Sequence, residues 1–438
     1  ESSVPKTMAF ILEPDLLRNS CTDGFGFSSP ELMRMVAKTV ITEIQRAFMG
    51  KSLRRFLQQT STRSRLKAMC RCFCVFFFLL LGIPDTRAAD NGLPEALNDR
   101  QWAALEKSVD RGLHWLAKQQ RNDGSFEGDE VGQPAITSFA VMAYLSRGHR
   151  PGVGLYDKAI ESGIDFVLAT QRANGLFTYE DAVGPYKKGK PSHTATYNHA
   201  IAGLMLGEVY GLCDGARSAR IRQAIELGLD LTWKLQFARK DRAEDRGGWR
   251  YLYDRDDVDS DLSVSGWHLM FLRLAKNAES DVPREFIDAA TGYIKRCYIA
   301  HRDGIFTYSP GDHRDANEAM TGIGALSLAL GGLYKDRRVV EAGDWLLDHP
   351  LDHNFYRSTE RYYYTAYYCT QAMAQLGGKY WKAFYPVVVA EVLDHQDSDG
   401  NWRIPSRAKE DKLGEVYFTS LAILTLTPPY QLLPIYQR

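Results

Sequence analysis

The chain has 438 residues, 45% of them hydrophobic and 25% charged, so it is long enough for a large core and too apolar to be disordered. Formal net charge is zero, and the sequence after residue 89 holds more acids than bases, which argues against nucleic acid as a partner because phosphate binding needs a basic face. The seven cysteines form neither a disulfide framework nor a CxxC metal pattern: Cys21, Cys70, Cys72 and Cys74 lie early, and Cys213, Cys297 and Cys369 are scattered.

Taken in order, residues 1–68 show no strong periodicity and read as an extension outside the folded body. Residues 69–89 follow a basic group (Arg63, Arg65, Lys67, Arg71). They hold an apolar run from Cys72 to Ile83, then a proline break and the small residues Thr86 and Ala88. This is the pattern of a signal peptide, which predicts export, with retention as an N-terminal anchor at the membrane periphery as the alternative.

From Asn98 the chain repeats six times. Each unit has an amphipathic first helix, a glycine-aromatic turn and a more apolar second helix. First helices are expected near 99–119, 156–171, 218–236, 283–299, 335–348 and 379–396. Second helices are expected near 134–147, 194–212, 262–276, 317–333, 361–376 and 415–426. The turns are Asn122-Asp-Gly-Ser-Phe126, Asn174-Gly-Leu-Phe177, Gly247-Gly-Trp249, Asp303-Gly-Ile-Phe306 and Asp399-Gly-Asn-Trp402; repeat 5 lacks one. A Gln closes the first helix in several units (Gln119 and Gln120, Gln171, Gln236, Gln396). Helices without a polar face are buried, so six hairpins predict an inner ring of second helices inside an outer ring of first helices. The expected fold is all-α, one (α/α)6 toroid over 90–438.

The pattern Gln-x-x-(Asp/Asn)-Gly-x-(Phe/Trp) on helical hairpins resembles the QW-type repeat of squalene–hopene cyclases, oxidosqualene cyclases and protein prenyltransferase β subunits, and the chain is most similar to the short exported bacterial members. The resemblance implies a terpenoid-cyclase-like toroid with a cavity for a hydrophobic, isoprenoid-like ligand. Squalene–hopene cyclases carry Asp-x-Asp-Asp-Thr-Ala at an inner-helix start, where the middle Asp donates a proton. Asp259 and Asp261 match the first and middle Asp, Leu262 replaces the third, and Asp257 offers another register. Asp261, Asp259 and Asp257 are therefore the expected catalytic carboxylates. For Asp261 the plain alternative is a helix N-cap. The prenyltransferase zinc set is not matched, since Tyr362-Tyr363-Tyr364-Thr365 stands where its His would be.

Aligning the inner helices on Thr137, Thr196, Ser265, Thr321, Thr365 and Thr419 places polar residues, including His193, Asp261 and Glu318, near one mouth. Trp249, Trp267, His193, Glu318, Tyr362 and Tyr364 are the expected ligand-contacting residues, because aromatic faces steady cations and also stack on sugars. No metal or other cofactor is expected. His349 and His353 are four apart but separated by Pro350, and the aspartate run lacks EF-hand spacing. Whether the protein is an enzyme is left open. The competing functions are a terpene-cyclase-like isomerase, a non-catalytic ligand- or protein-binding toroid, and a carbohydrate-active (α/α)6 enzyme with Asp261 and Glu318 as its carboxylate pair.

Overall fold

The structure, a computed structural model, describes residues 93–182, 187–252, 259–302, 304–409 and 411–437. The leader at 69–89, the segment 1–68 and Asp257 lie outside the described residues. The chain divides into two compact units, Glu1–Ala89 and Asp90–Arg438, and everything below concerns the second.

That unit is all-α, with thirteen α-helices among the described residues. The outer helices are α1 (Asp99–Ala117), α3 (Asp157–Ala169), α5 (Gly215–Gln236), α7 (Arg284–Arg296), α9 (Arg337–Asp348) and α12 (Gly378–Asp394). The inner helices are α2 (Ala135–Ser146), α4 (Pro191–Val209), α6 (Leu262–Asn277), α8 (Glu318–Leu328), α11 (Tyr362–Leu376) and α13 (Glu415–Leu426). A short helix, α10 (His353–Ser358), follows the outer helix of repeat 5. Each inner helix packs on the next in the order α2, α4, α6, α8, α11, α13, and α13 packs back on α2, so the ring closes as the repeat predicted. Among the described residues no helix is long and apolar enough to cross a membrane.

Local sequence explains both rings. In α1, Asn98 and Gln101 form a reciprocal capping box, and Leu105, Val109, Leu113 and Leu116 bury one stripe. In α2 all twelve residues are buried. An inner helix therefore gains most of its stability from being enclosed, since each large apolar side chain taken from water contributes about 1.5–3 kcal/mol.

The turns join the rings. The side-chain amide of Gln120 donates to its own turn carbonyl, Gly124 O (3.0 Å), and to Ala159 O of the next outer helix (2.8 Å). Gln171 does the same with Gly175 O and Ala224 O, and Gln236 with Gly247 O and Phe286 O. Gln396 reaches Gly400 O (2.7 Å) and, across the closure, Ser108 O of α1 (2.8 Å). Thus Gln120, not Gln119, is the repeat residue. The turn glycine has no substitute. Gly124 sits at φ +90° and Gly247 at +89°, and a Cβ would meet the backbone oxygen of Ser162 or Ala289.

The turn aromatics Phe126, Phe177, Trp249, Phe306 and Trp402 have no exposed surface. In four repeats an inner-helix hydroxyl accepts the aromatic N–H: Phe126 to Thr137 (2.9 Å), Trp249 to Ser265 (2.9 Å), Phe306 to Thr321 (3.2 Å) and Trp402 to Thr419 (3.0 Å). In repeat 2 the acceptor is His199 Nδ1 (3.4 Å) rather than the expected Thr196. The alignment of that helix is therefore corrected by three residues.

The C-terminal segment crosses the end of the ring formed by inner-helix C-termini. Ile435 N–H donates to Glu208 Oε1 (3.2 Å), and Gln375 donates to Tyr436 O (2.9 Å). Burial pushes the Glu208 carboxyl up from its ordinary 4.5 to about 8, against the lowering effect of the Ile435 N–H.

Two outcomes follow. Gln396→Ala removes the turn bond to Gly400 O and the closure bonds to Ser108 and Arg111, and should lower unfolding free energy by about 1–3 kcal/mol in urea titrations. Glu208 is neutral in the fold at pH values where it would ionise in the unfolded chain, so its contribution is complete below pH 4.5 and is lost as pH rises through 8. Glu208→Gln keeps the acceptor for Ile435 and should leave the protein about 2–4 kcal/mol more stable than the parent at pH 8, with little difference at pH 4.5, by urea unfolding at both pH values.

Candidate functional site

The opposite end, formed by inner-helix N-termini, carries the polar cluster. An antiparallel bridge pairs Trp249 with Asp261, and Asp261 N–H donates to Trp249 O (3.0 Å). This pairing sets Arg250 beside the start of α6. Leu262 N–H donates to Tyr308 O (2.8 Å), bringing in the turn of repeat 4.

Asp261 is fully buried and is the N-cap of α6. Its Oδ1 accepts from Val264 N–H (2.8 Å) and from the Ser263 hydroxyl (2.6 Å). Its Oδ2 accepts from the Arg250 guanidinium (2.7 Å). The same Arg250 nitrogen donates to the Tyr308 hydroxyl (2.7 Å), and Arg250 Nε pairs with Asp259 Oδ1 (3.1 Å). The guanidinium lies over the Tyr251 ring, 4.3 Å from its centroid, and 5.3 Å from that of Tyr308. The Tyr251 and Tyr308 hydroxyls share a short hydrogen bond. Tyr197, from α4, lies 2.6 Å from the Ser263 hydroxyl; Ser263 donates to Asp261, so Tyr197 donates to Ser263.

Electrostatics follow from this enclosure. Burial lowers the proton affinity of Arg250, but Asp261, Tyr308 and Asp259 outweigh it, and the guanidinium is held charged more firmly than usual. Burial, then Asp261, pushes Tyr251 up to about 12 and raises Tyr308 further. His193 stands edge-on to Tyr251 (ring centroids 4.5 Å apart). Burial, with Arg361, Lys188 and Arg250, lowers its imidazole to about 4. His193 is therefore neutral near pH 7, and below its ordinary 6.5 it increasingly opposes folding as pH falls toward 4.

The expected site residues separate into groups. Asp261, Asp259 and His193 meet at this mouth. Tyr364, 7% exposed, lies just inside it, edge-on to Tyr368 (5.1 Å). Trp267 lies deeper, packed among Phe139 (5.4 Å), Tyr368 (5.0 Å) and Tyr367 (5.7 Å). Trp249 does not face the mouth: it is buried in its turn, stacked on His268 (4.9 Å) with its indole N–H on Thr232 O (2.9 Å). Tyr362 is also enclosed elsewhere, bonded to Leu351 O (3.1 Å) and packed on Tyr356. Glu318 sits half-buried in the first turn of α8, and no hydrogen bond or ion pair among the described residues joins it to Asp261. Two open surface hollows lie on outer helices, away from this mouth. One of about 660 Å³ is lined by Glu106, Asp110 and Arg111 of α1, another of about 400 Å³ by Glu226, Asp230 and Trp233 of α5.

Arg250, Tyr308, Tyr197 and Ser263 were not anticipated. The signal was present in part: Trp249-x-Tyr251 and Phe306-x-Tyr308 repeat one spacing, which places both tyrosines at equivalent turn positions.

Neither a protein family model nor a curated protein matches the chain. Solved structures do. An α-mannanase of family GH76 from Bacteroides thetaiotaomicron is 11% identical, covering 78% of this chain and 99% of its own, with a TM-score of 0.50. A glycosidase is 13% identical, covering 77% and 100%, with a TM-score of 0.50. A type II terpene cyclase from Scytonema, in complex with merosterolic acid A, is 16% identical, covering 77% and 100%, with a TM-score of 0.49. At such identities the likeness extends to the fold alone. The chain is an α/α toroid of the architecture that such enzymes use.

Asp261→Asn retains a good N-cap acceptor but leaves Arg250 half-compensated, so it should cost about 2–4 kcal/mol in urea unfolding. Asp259→Asn, at a carboxylate 41% exposed, should cost less than about 1 kcal/mol.

Proposed function

We propose that this toroid binds a hydroxyl-rich ligand of the carbohydrate class at the mouth formed by Tyr197, Arg250, Tyr251 and Tyr308, without acid chemistry from Asp261. The observation that carries this reading is the Arg250 guanidinium, fixed on buried Asp261 and flanked by the partly buried Tyr251 and Tyr308 rings. Ring faces offer a stacking platform, and phenol and guanidinium groups donate and accept around it. Both Asp261 oxygens already accept hydrogen bonds, which suits an anchor for Arg250 better than a proton donor. By the pattern of the leader, the protein acts after export.

A second reading keeps an isoprenoid-like substrate and acid-initiated cyclase or isomerase chemistry at Asp261, with no cofactor. It is favoured by the aromatic set of Trp267, Tyr364, Tyr367 and Tyr368 below the mouth, and it requires Arg250 to leave Asp261 before a proton can be delivered.

The test is a glycan array followed by calorimetry on the purified chain, beside incubation with squalene and shorter polyprenes. The first reading expects saturable oligosaccharide binding, weakened at least about tenfold by Tyr251→Ala, and no polyprene turnover. Polyprene cyclisation that disappears in Asp261→Asn, with no glycan bound, would overturn it.

A further inference from the structure

Repeat 5 has no Gln-Gly-aromatic turn, and α10 stands in that place. What ties α10 to the next outer helix, α12, is a cluster of metal-binding type. His353 Nδ1 lies 3.2 Å from Glu391 Oε1, and His395 Nε2 lies 2.8 Å from the same oxygen. The three ligand atoms all lie within 4.8 Å of one another. The two imidazoles are nearly parallel (8°), with ring centroids 6.1 Å apart. Glu391 and His395 are one helical turn apart, which puts them on one face of α12.

We propose that His353, Glu391 and His395 bind one divalent transition-metal ion of the zinc type. The donor set is two imidazoles and one carboxylate, which favours zinc-like ions over magnesium or calcium, whose sites are built of oxygen. Zinc binds such atoms at about 2.0–2.2 Å, so tetrahedral ligand atoms lie roughly 3.4 Å apart. The carboxylate–imidazole distances of 2.8 and 3.2 Å lie close to that spacing, with all three atoms within 4.8 Å of one another.

The surroundings favour the same assignment. The Glu391 side chain is 9% exposed, whereas that of His353 is 55% exposed and free to adjust. A buried carboxylate needs compensation, and a dication supplies it more fully than hydrogen bonds from two imidazoles alone. The Tyr356 ring stacks on His395 (3.6 Å, 9°), holding that imidazole toward Glu391. Water would complete the coordination on the exposed side. The ion would tie α10 to α12 at a junction where the glutamine contact of repeats 1, 2, 3 and 6 is missing. The neighbouring His349, paired with His353 by sequence spacing, instead stacks on Trp345 (3.7 Å) and bonds its carbonyl.

The test uses the untagged full chain, stripped with chelator and titrated with ZnCl2, MgCl2 or CaCl2 by calorimetry, with bound metal counted after dialysis. One zinc per chain is expected, with no saturable magnesium or calcium binding. Zinc should raise Tm by about 2–5 °C. His353→Ala and His395→Ala should each weaken binding at least about 30-fold and abolish the Tm shift, with the helical circular dichroism of the parent retained. His353 is exposed, so its variant keeps the test readable if His395→Ala disturbs packing. Absence of stoichiometric zinc, or zinc binding unchanged in His353→Ala, would overturn the proposal.

Discussion

The structure depends on a glutamine amide that serves two carbonyls at once. An inner helix that is apolar all round cannot stand in water, so every hairpin must be covered by its neighbour. Gln120, Gln171, Gln236 and Gln396 each bond the carbonyl of their own turn glycine and a carbonyl of the following outer helix. The amide N–H2 has two donors, and both are used between groups that water would otherwise have to satisfy. The glycine is required because the neighbouring backbone occupies the space of a Cβ, and the aromatic fills the wedge between rings. Gln396 performs the same function between the last repeat and the first, so ring closure uses the same contact as repeats 1 to 3.

This also explains what the sequence made legible. The Gln, Gly and aromatic are spaced by backbone geometry within one turn, so the repeat, both helix sets and the closed ring could be read directly. Asp261 as a helix cap was equally local. The partners of Asp261 were not. Arg250 reaches it through a two-residue bridge across a loop, and Tyr308 comes from the next repeat. Trp249 read as a ligand contact because aromatic residues beside aspartates suggest a site, whereas turn packing claims the ring entirely. Repeat 2 misaligned because a histidine replaces the hydroxyl that accepts the aromatic N–H. His353 and His395 are far apart in sequence and meet only because α10 fills the gap left by a missing turn.

The two ends of the ring divide the work. At one end the C-terminal segment lies on Glu208 and Gln375 and covers the inner-helix C-termini. At the other, helix N-termini and two repeat turns gather Arg250, three tyrosines, His193 and two aspartates. Buried Asp261 satisfies backbone and hydroxyl donors on one oxygen and orients Arg250 with the other. A carboxylate placed in this way organises the donors around it. The same acidic position that resembles a cyclase motif thereby becomes the floor of a polar, aromatic mouth.

The most direct measurement is a crystal structure of the protein purified from its own host without added ligand. The account predicts that any co-purified molecule lies at the mouth, stacked on Tyr251 or Tyr308 and within hydrogen-bonding distance of Arg250, with Trp267 still packed against Tyr367 and Tyr368. An apolar molecule lodged among Trp267, Tyr364 and Tyr368, with Arg250 turned away from Asp261, would contradict it.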